Sequence, residues 1–559
     1  MAMTARPWRI AHVDESTVER IATALDCHPA IARILAVREF DDPDTAGVAY
    51  GPTLDCCHDP TGLPDIDAAL DRLSRALDWD ETITVYGDRD LDGIAGTALL
   101  LTLFKDLGAT VGYHIPRKFD GHGLHEEAIE RIASRDTDLI VSVDCGTDDE
   151  AAIDRACTQG VDVIVTDHHP PSSELEVPFV NPRQSSSRYP NGALAGAGIA
   201  LKLGQALLAS RSITDDGFAA YAYPLAGIAT VADRAPMTLE NRAIVHAGYD
   251  RLADCPFDSL RAIADRCSLG SIRDLGWELS PLLNAAREAT DGHLMIGTLF
   301  EREPERIDAR IERLHTLREE RQDRRREWIA TLEREVTDQV DLRHDPILIV
   351  ETDGYVGTGP LIDLSERTCR PVLCYYRRYD GTYRGSVVSA VDVDVRALVD
   401  AHEQRLLDQW GHPRVAGFEV AADRLEGVLV GITTLFEQRY EAGDLEPRID
   451  IDCVLETHEI GRVLAELEPL RPFGPGYPEP IVLIEAVDAY GIERFGRGDR
   501  HIRLRTDTDA VSFIDWNGHA LSDDPPTPLD VTGTIGWKQN TDRPEVAIEA
   551  VRPVADYPS

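Results

Sequence analysis

Lysine is nearly missing from this 559-residue chain: only Lys105, Lys118, Lys202 and Lys538 occur, so arginine supplies almost all of the 57 basic residues set against 99 acidic ones. The net charge of −42 is spread along the sequence rather than gathered in a tail. Acid excess with lysine scarcity fits adaptation to a high-salt cytoplasm; an ordinary acidic protein that avoids nucleic acid is the alternative. In molar salt the Debye length falls to about 3 Å, so net charge alone would not keep a polyanion away. Among the ten cysteines there is no Cys-x-x-Cys, and Cys56 and Cys57 are adjacent, which argues against zinc. Scattered thiols fit a reducing compartment. No stretch approaches about 18 uninterrupted apolar residues and no signal-type apolar core opens the chain, so a soluble, cytoplasmic protein with no membrane partner is expected.

At this length a single core is excluded, and three or four domains are expected. Residues 1–80 read as a helical and extended segment ending in an amphipathic helix near Asp65–Leu77. From 81 to about 300, strands at 82–86, 110–114, 138–143 and 162–166 alternate with helices at 93–107, 124–134 and 148–158. That rhythm predicts βαβ units and a parallel sheet. Residues 301–342 hold only Pro304 as a breaker and are dense in Arg and Glu, which predicts a long polar connecting helix. A second α/β domain is expected over 343–445, opening at Pro346-Ile347-Leu348-Ile349-Val350. Over 446–559, short strands at 481–489, 501–506, 510–516, 529–537 and 545–551 predict a small β-barrel of OB type that binds nucleic acid. The fold class is α/β with a C-terminal β-barrel.

The chemistry concentrates where strands end. Asp88-Arg89-Asp90-Leu91-Asp92-Gly93 follows the apolar run Ile83–Tyr86 and packs three carboxylates into one tight segment. A solvated acidic turn would account for this segment alone. Two downstream clusters repeat its grammar and count against that account: Val141-Ser142-Val143-Asp144-Cys145-Gly146, and Val163-Ile164-Val165-Thr166-Asp167-His168-His169. The carboxyl edge of an open parallel sheet is where ligands bind. With Asp233, these acids and imidazoles are too many for one structural ion. Two ions about 3.5–4 Å apart fit better and suit an in-line phosphoryl displacement. Hard oxygen donors select Mg²⁺ or Mn²⁺, and the imidazoles favour Mn²⁺.

Asp167-His168-His169 is the signature after which the DHH phosphoesterase superfamily is named. Gly87–Gly93 resembles its first motif, Asp144-Cys145-Gly146 its second and Asp233 its fourth. Within the superfamily the chain resembles the RecJ family of single-strand-specific exonucleases, over essentially its whole length. Supporting stretches are Ile115–Phe119 through Gly121-His122-Gly123-Leu124, Leu194–Ala200, Glu240-Asn241-Arg242, Gly411-His412 through Gly417-Phe418, and Arg471–Pro480.

The resemblance implies a DHH catalytic domain, a connecting helix, a DHHA1 domain and an OB-fold. It implies Asp144 as a bridging ligand, Asp88 and Asp90 mainly on one of two Mn²⁺ (or Mg²⁺) ions, and Asp92, His168 and Asp233 mainly on the other. His169 would face the scissile phosphate, and Asp167 would orient an imidazole. His412 and Gly411 would approach the phosphate from a DHHA1 turn, Ser386 and Arg384 would meet a 5′ end, and Arg117, Arg242 and Arg287 would contact strand phosphates. Three departures stand out: Trp410 where a Gly is usual, Val388 where an Arg is usual after Ser386, and no Gly after Ala286.

The implied activity is metal-dependent 5′→3′ digestion of single-stranded DNA to 5′-mononucleotides, by a monomer working with replication or repair proteins. A DHH phosphodiesterase acting on short oligoribonucleotides or cyclic dinucleotides is an alternative that the OB-like tail disfavours, and a 3′→5′ trimmer of RNA or DNA is another. A replication-helicase scaffold should have lost metal ligands, and every acid is present.

Overall fold

In the computed structural model the described residues are 7–117, 120–214, 217–288, 293–341, 345–440, 448–496, 498–506, 510–516, 518, 520–522, 524–525, 527–538, 541 and 543–554. Lys118 and Phe119 of the Ile115–Phe119 stretch, and the residues at the expected boundaries 342–343 and 445–446, lie outside them. The chain divides into two compact units: Val13–Arg318 with Glu459–Pro480, and the residues through His12 with Glu319–His458 and Ile481 onward.

The first unit is built on a five-stranded sheet of β1 (Thr82–Gly87), β2 (Thr110–His114), β3 (Leu139–Val143), β4 (Asp162–Thr166) and β5 (Phe179–Val180). Every pairing is parallel, in the order β2-β1-β3-β4-β5. Buried β-branched residues make these short strands, and both faces are covered. Ile83, Val85, Val141 and Val143 pack into the core shared with helices α1 (Leu91–Asp106), α2 (Gly196–Ser210) and α3 (Phe218–Ala232). Tyr86, Ile140, Val163 and Val165 face the core under Glu126–Ala133 and Glu150–Thr158. The chain order reverses between β1 and β3, which creates a crevice at their carboxyl ends. Helix α4 (Leu239–Arg251) completes the α3 hairpin.

Helix α5 runs from Pro304 to Gln339, close to the expected 301–342, and crosses the division between the units. In the second unit, β6 (Leu348–Thr352), β7 (Val372–Arg377), β8 (Tyr383–Val388), β9 (Asp408–His412) and β10 (Val415–Val420) form a mixed sheet ordered β9-β10-β8-β7-β6. Only the β6–β7 pair is parallel.

The C-terminal strands are β11 (Val482–Val487), β12 (Ala489–Phe495), β13 (His501–Thr506), β14 (Ser512–Asp515), β15 (Leu529–Trp537) and β16 (Pro544–Pro553), ordered β11-β15-β16-β14-β13-β12. Asp488 alone separates β11 from β12, so these are two halves of one bent strand, one paired with β15 and the other with β13, the connectivity of a five-stranded barrel. Cys453–Leu455 adds a seventh strand to this sheet, parallel to the start of β11; of the other pairs β14–β16 is parallel and the rest antiparallel, the OB pattern. The expected strand 481–489 thus continues to Phe495 beyond a bulge marked by the positive φ of Ala486.

Two expected boundaries shift. Trp8–Ile10 is a strand paired in parallel with Ile449–Ile451, so the chain start joins the second unit rather than the helices that follow it. Residues 459–480, expected in the barrel domain, belong to the first unit: the amphipathic helix Ile460–Leu467 buries Ile460, Val463, Leu464 and Leu467. Met237 N donates to Pro475 O at 2.8 Å, and Arg242 to Leu470 O at 3.0 Å. Among the described residues no helix is long and apolar enough to cross a membrane.

Candidate metal centre

Each acid of the centre is delivered by the end of a regular element. Asp88 leaves β1, and Asp90 caps α1, its Oδ1 accepting from Asp92 N (3.0 Å) and Gly93 N (3.3 Å). That cap turns the chain sharply enough to place three carboxylates within five residues. The turn needs glycine: a Cβ on Gly93 would lie 2.5 Å from Asp88 N. Asp92, buried on the first turn of α1, accepts Gly196 N (2.7 Å) and Ala197 N (2.8 Å) and so caps α2 as well.

Asp144 leaves β3 with φ of +63°, a left-handed conformation that Asp tolerates better than most residues. A Cβ on Gly196 would fall 2.7 Å from Asp144 Cβ, so α2 can approach only with glycine there. Asp167 leaves β4, buried, and accepts Thr147 N (3.1 Å), His168 N (2.7 Å) and His169 N (3.2 Å). Asp233 sits at the C-terminus of α3, where the helix dipole disfavours a carboxylate, and Arg234 beside it has φ of +59°.

These residues converge in three overlapping groups whose donor atoms lie within 4.8 Å of one another: Asp88, Asp90 and Asp144; Asp92, His168 and Asp233; and Asp144, Asp167, His168 and His169. His168 Nε2 lies 3.0 Å from Asp144 Oδ1 and 3.8 Å from Asp92 Oδ2, and Nδ1 lies 4.0 Å from Asp233 Oδ2.

Burial pushes Asp144 and Asp92 well above the ordinary carboxylate range, reinforced by their acidic neighbours. Burial and then Asp90 push Asp233 up to about 7. Burial brings His168 down to about 4, leaving it a neutral donor. Carboxylates held so close against their own repulsion, with a neutral imidazole and two glycine-enabled approaches, fit hard divalent cations. Asp88 differs. Burial opposes its ionisation, but the hydrogen bond and charge of His122 outweigh it and hold the carboxyl below its usual range.

His122 is the residue the sequence reading left without a role. Its Nδ1 stands 3.1 Å from Asp88 Oδ1 and its ring centroid 4.8 Å from that of His169. The signal was the Gly-His-Gly triplet, in which Gly121 and Gly123 both have positive φ. Asn181 was missed as well. It is fully buried, and its Nδ2 donates to His169 O (2.9 Å) and Thr147 Oγ1 (3.2 Å).

The arginines divide. Arg287 Nη1 lies 3.9 Å from Asp90 Oδ2, at the centre. Arg117 is exposed and pairs with Asp120 through Nε (3.1 Å) and Nη2 (3.0 Å). Arg242 must be corrected: it is 1% exposed, its guanidinium 4.3 Å over the Tyr477 ring, so it is a core residue out of reach of any strand phosphate.

In the second unit, Ser386 lies in β8 opposite Gly417, and Arg384 stacks 4.3 Å over Trp410 while 3.5 Å from Glu419. Trp410 lies across Gly417, where a Cβ would meet the indole at 2.3 Å. Gly411 has φ of +113° at the hairpin leading to the exposed His412. Val388 is fully buried in an apolar cluster with Leu348, Val350 and Leu361.

Residues 82–227 match the DHH family, N-terminal domain, and residues 451–550 the RecJ OB domain. The chain is 27% identical over 566 residues to the single-stranded-DNA-specific exonuclease RecJ of Bacillus subtilis, covering 97% of this chain and 70% of that protein. It is 28% identical over 490 residues to the Thermus thermophilus protein of the same name, covering 85% and 68%. The crystal structure of RecJ in complex with Mn²⁺ from Thermus thermophilus superposes with a TM-score of 0.79 at 24% identity, over 98% of this chain and 80% of that one.

Proposed function

As a RecJ-like chain of the DHH phosphoesterase superfamily, this protein is, we propose, a metal-dependent, single-strand-specific 5′→3′ DNA exonuclease that releases 5′-mononucleotides in repair or recombination. The observation that carries the reading is the convergence of Asp88, Asp90, Asp92, Asp144, His168 and Asp233 at the switch point of the parallel sheet.

Asp88 and Asp90 would hold one Mn²⁺ or Mg²⁺, Asp92, His168 and Asp233 the other, with Asp144 shared. Bound there, two ions acidify water and neutralise charge building on the phosphate. The protein's own groups do the rest. Cleavage breaks the bond between phosphorus and the 3′ oxygen of the nucleotide released. His169, whose proton affinity is raised by Asp167 in spite of burial, would hold a proton for that leaving oxygen. Arg287 would meet a phosphate at the Asp90 side.

The barrel offers a surface suited to unpaired bases. Phe495, His501 and Trp516 pack with ring centroids 5.4, 6.0 and 5.0 Å apart, and Arg503 lies 4.9 Å over Phe495. Aromatic faces interleaved with arginine bind single strands without reading sequence. His412, Gly411, Ser386 and Arg384 would serve the phosphate and the 5′ end. The working division is 81–300 for catalysis, 301–342 for connection, 343–445 for DHHA1 and the barrel for strand binding, in a cytoplasmic monomer.

Asp144→Asn is the direct test, because Asn keeps the left-handed backbone while removing the shared charge. Loss of hydrolysis with an unchanged fold is expected. Full activity in that variant would remove the two-ion reading.

A further inference from the structure

Asn181-Pro182-Arg183 follows β5 directly, and none of the motifs above includes it. Asn181 is buried and works in two directions: Nδ2 donates to the carbonyl of His169 at 2.9 Å, while Oδ1 accepts the backbone N–H of Arg183 at 2.8 Å. One amide thus fixes the backbones of His169 and Arg183 in a common turn. Arg183 Nε donates to Gly192 O at 3.0 Å, which sets the plane of the guanidinium. Arg183 is exposed, and among the described residues no carboxylate lies within 4.0 Å of it. In a chain with 99 acidic residues that is a notable vacancy of partners, since Arg117 and Arg287 each sit near one. The side chain therefore leaves the turn that Asn181 ties to His169, without being held by any acid.

We propose that Arg183 is a substrate contact whose free Nη edge binds a phosphodiester oxygen of the strand where it passes His169. The proposal rests on the nuclease reading above. A guanidinium anchored through Nε presents its two Nη groups as a planar fork, the geometry that matches two oxygens of one phosphate. It also offsets locally the repulsion between a polyanion and this acidic crevice.

The test is equilibrium binding of a single strand to full-length protein with Mn²⁺ across a salt series. The strand carries non-hydrolysable 3′-methylene phosphonate linkages, which keep the backbone charge. Arg183→Gln should weaken binding about tenfold or more, as loss of a charge-assisted hydrogen bond does. It should also make the slope of log affinity against log salt shallower by about 0.7, the share of one phosphate contact on a single strand. Arg183→Lys should keep the slope while recovering only part of the affinity. Thermal midpoint and Mn²⁺ affinity should not change, and Arg188→Gln, an equal charge change on the same loop, should leave slope and affinity as in the wild type. An unchanged slope in Arg183→Gln, the same change in Arg188→Gln, or weakened Mn²⁺ binding overturns the assignment while the nuclease reading stands. A wild-type protein that does not bind the strand removes the nuclease reading itself, and the assignment with it.

Discussion

The Nδ1 of His169 lies 2.7 Å from the Oδ1 of Asp167, a carboxylate 1% exposed that also receives three backbone N–H groups. Burial opposes ionisation of Asp167, but His169, its hydrogen bond and the neighbouring donors outweigh it and keep the carboxyl far below its usual range. The same contact raises His169. The pair sets a fixed anion against the imidazole and favours its protonated form beside the centre.

Asp167→Asn should remove that support. With the fold retained, we expect turnover to fall on the order of 100-fold, the usual contribution of a positioned acid. The alkaline limb of the rate profile should move to lower pH, because His169 then gives up its proton more readily. A profile shifted the other way, or not at all, would mean that His169 is not the proton donor.

Asp233 makes the ion-free protein sensitive to pH. Its carboxyl is pushed up to about 7, whereas an unfolded chain has the ordinary 3.8. Between those values the native state binds the additional proton, so this group's contribution to stability is present at low pH and lost as pH rises towards 7. Asp233→Asn has no such loss. In chelator, the stability advantage of the variant over the wild type should be smallest at low pH and should grow by roughly 1–3 kcal/mol between pH 5 and pH 8. Added Mn²⁺ should reverse that order. A difference independent of pH would contradict the placement of this carboxyl among like charges.

Much of this arrangement was legible in the sequence, and the reasons are local. Short apolar strands ending in Asp or His identify themselves by period and punctuation, and a parallel sheet collects such ends along one edge. The barrel strands were legible for the same reason. What escaped depends on distant parts of the chain. Nothing local shows that Trp8–Ile10 pairs with Ile449–Ile451, or that Arg242 is covered by Tyr477 and Leu470. His122 escaped because its role follows from a loop folding back onto Asp88, and Asn181 because a buried amide has no pattern.

Val388 shows how burial changes an expectation. By sequence, Val388→Arg restores a guanidinium for a 5′-phosphate. In the structure the position is fully buried, so the substitution should destabilise the protein by about 3 kcal/mol or more rather than sharpen end recognition. Chemical denaturation distinguishes the two. An unchanged midpoint with a stronger preference for 5′-phosphorylated strands would contradict the core assignment.

Truncation separates the barrel from the segment before it. A chain ending at Pro480 keeps residues 459–480 in the first unit, and it should still cleave a very short oligonucleotide while binding long strands more weakly, by about 1–3 kcal/mol per lost stacked base. A chain ending at Asp450 also loses Ile460–Leu467 and the Leu470 contact of Arg242, and should melt earlier. Equal melting of the two forms would show that residues 459–480 do not support the first unit.

The most direct measurement follows the label on single strands of DNA marked at one end or the other, incubated with the full-length protein and Mn²⁺ in high salt. A 5′ label should appear at once as mononucleotide. A 3′ label should persist in a ladder of shortening strands, duplex should resist, and chelator should stop both reactions. Mononucleotide arising first from the 3′ label, or digestion that continues in chelator, would contradict the account.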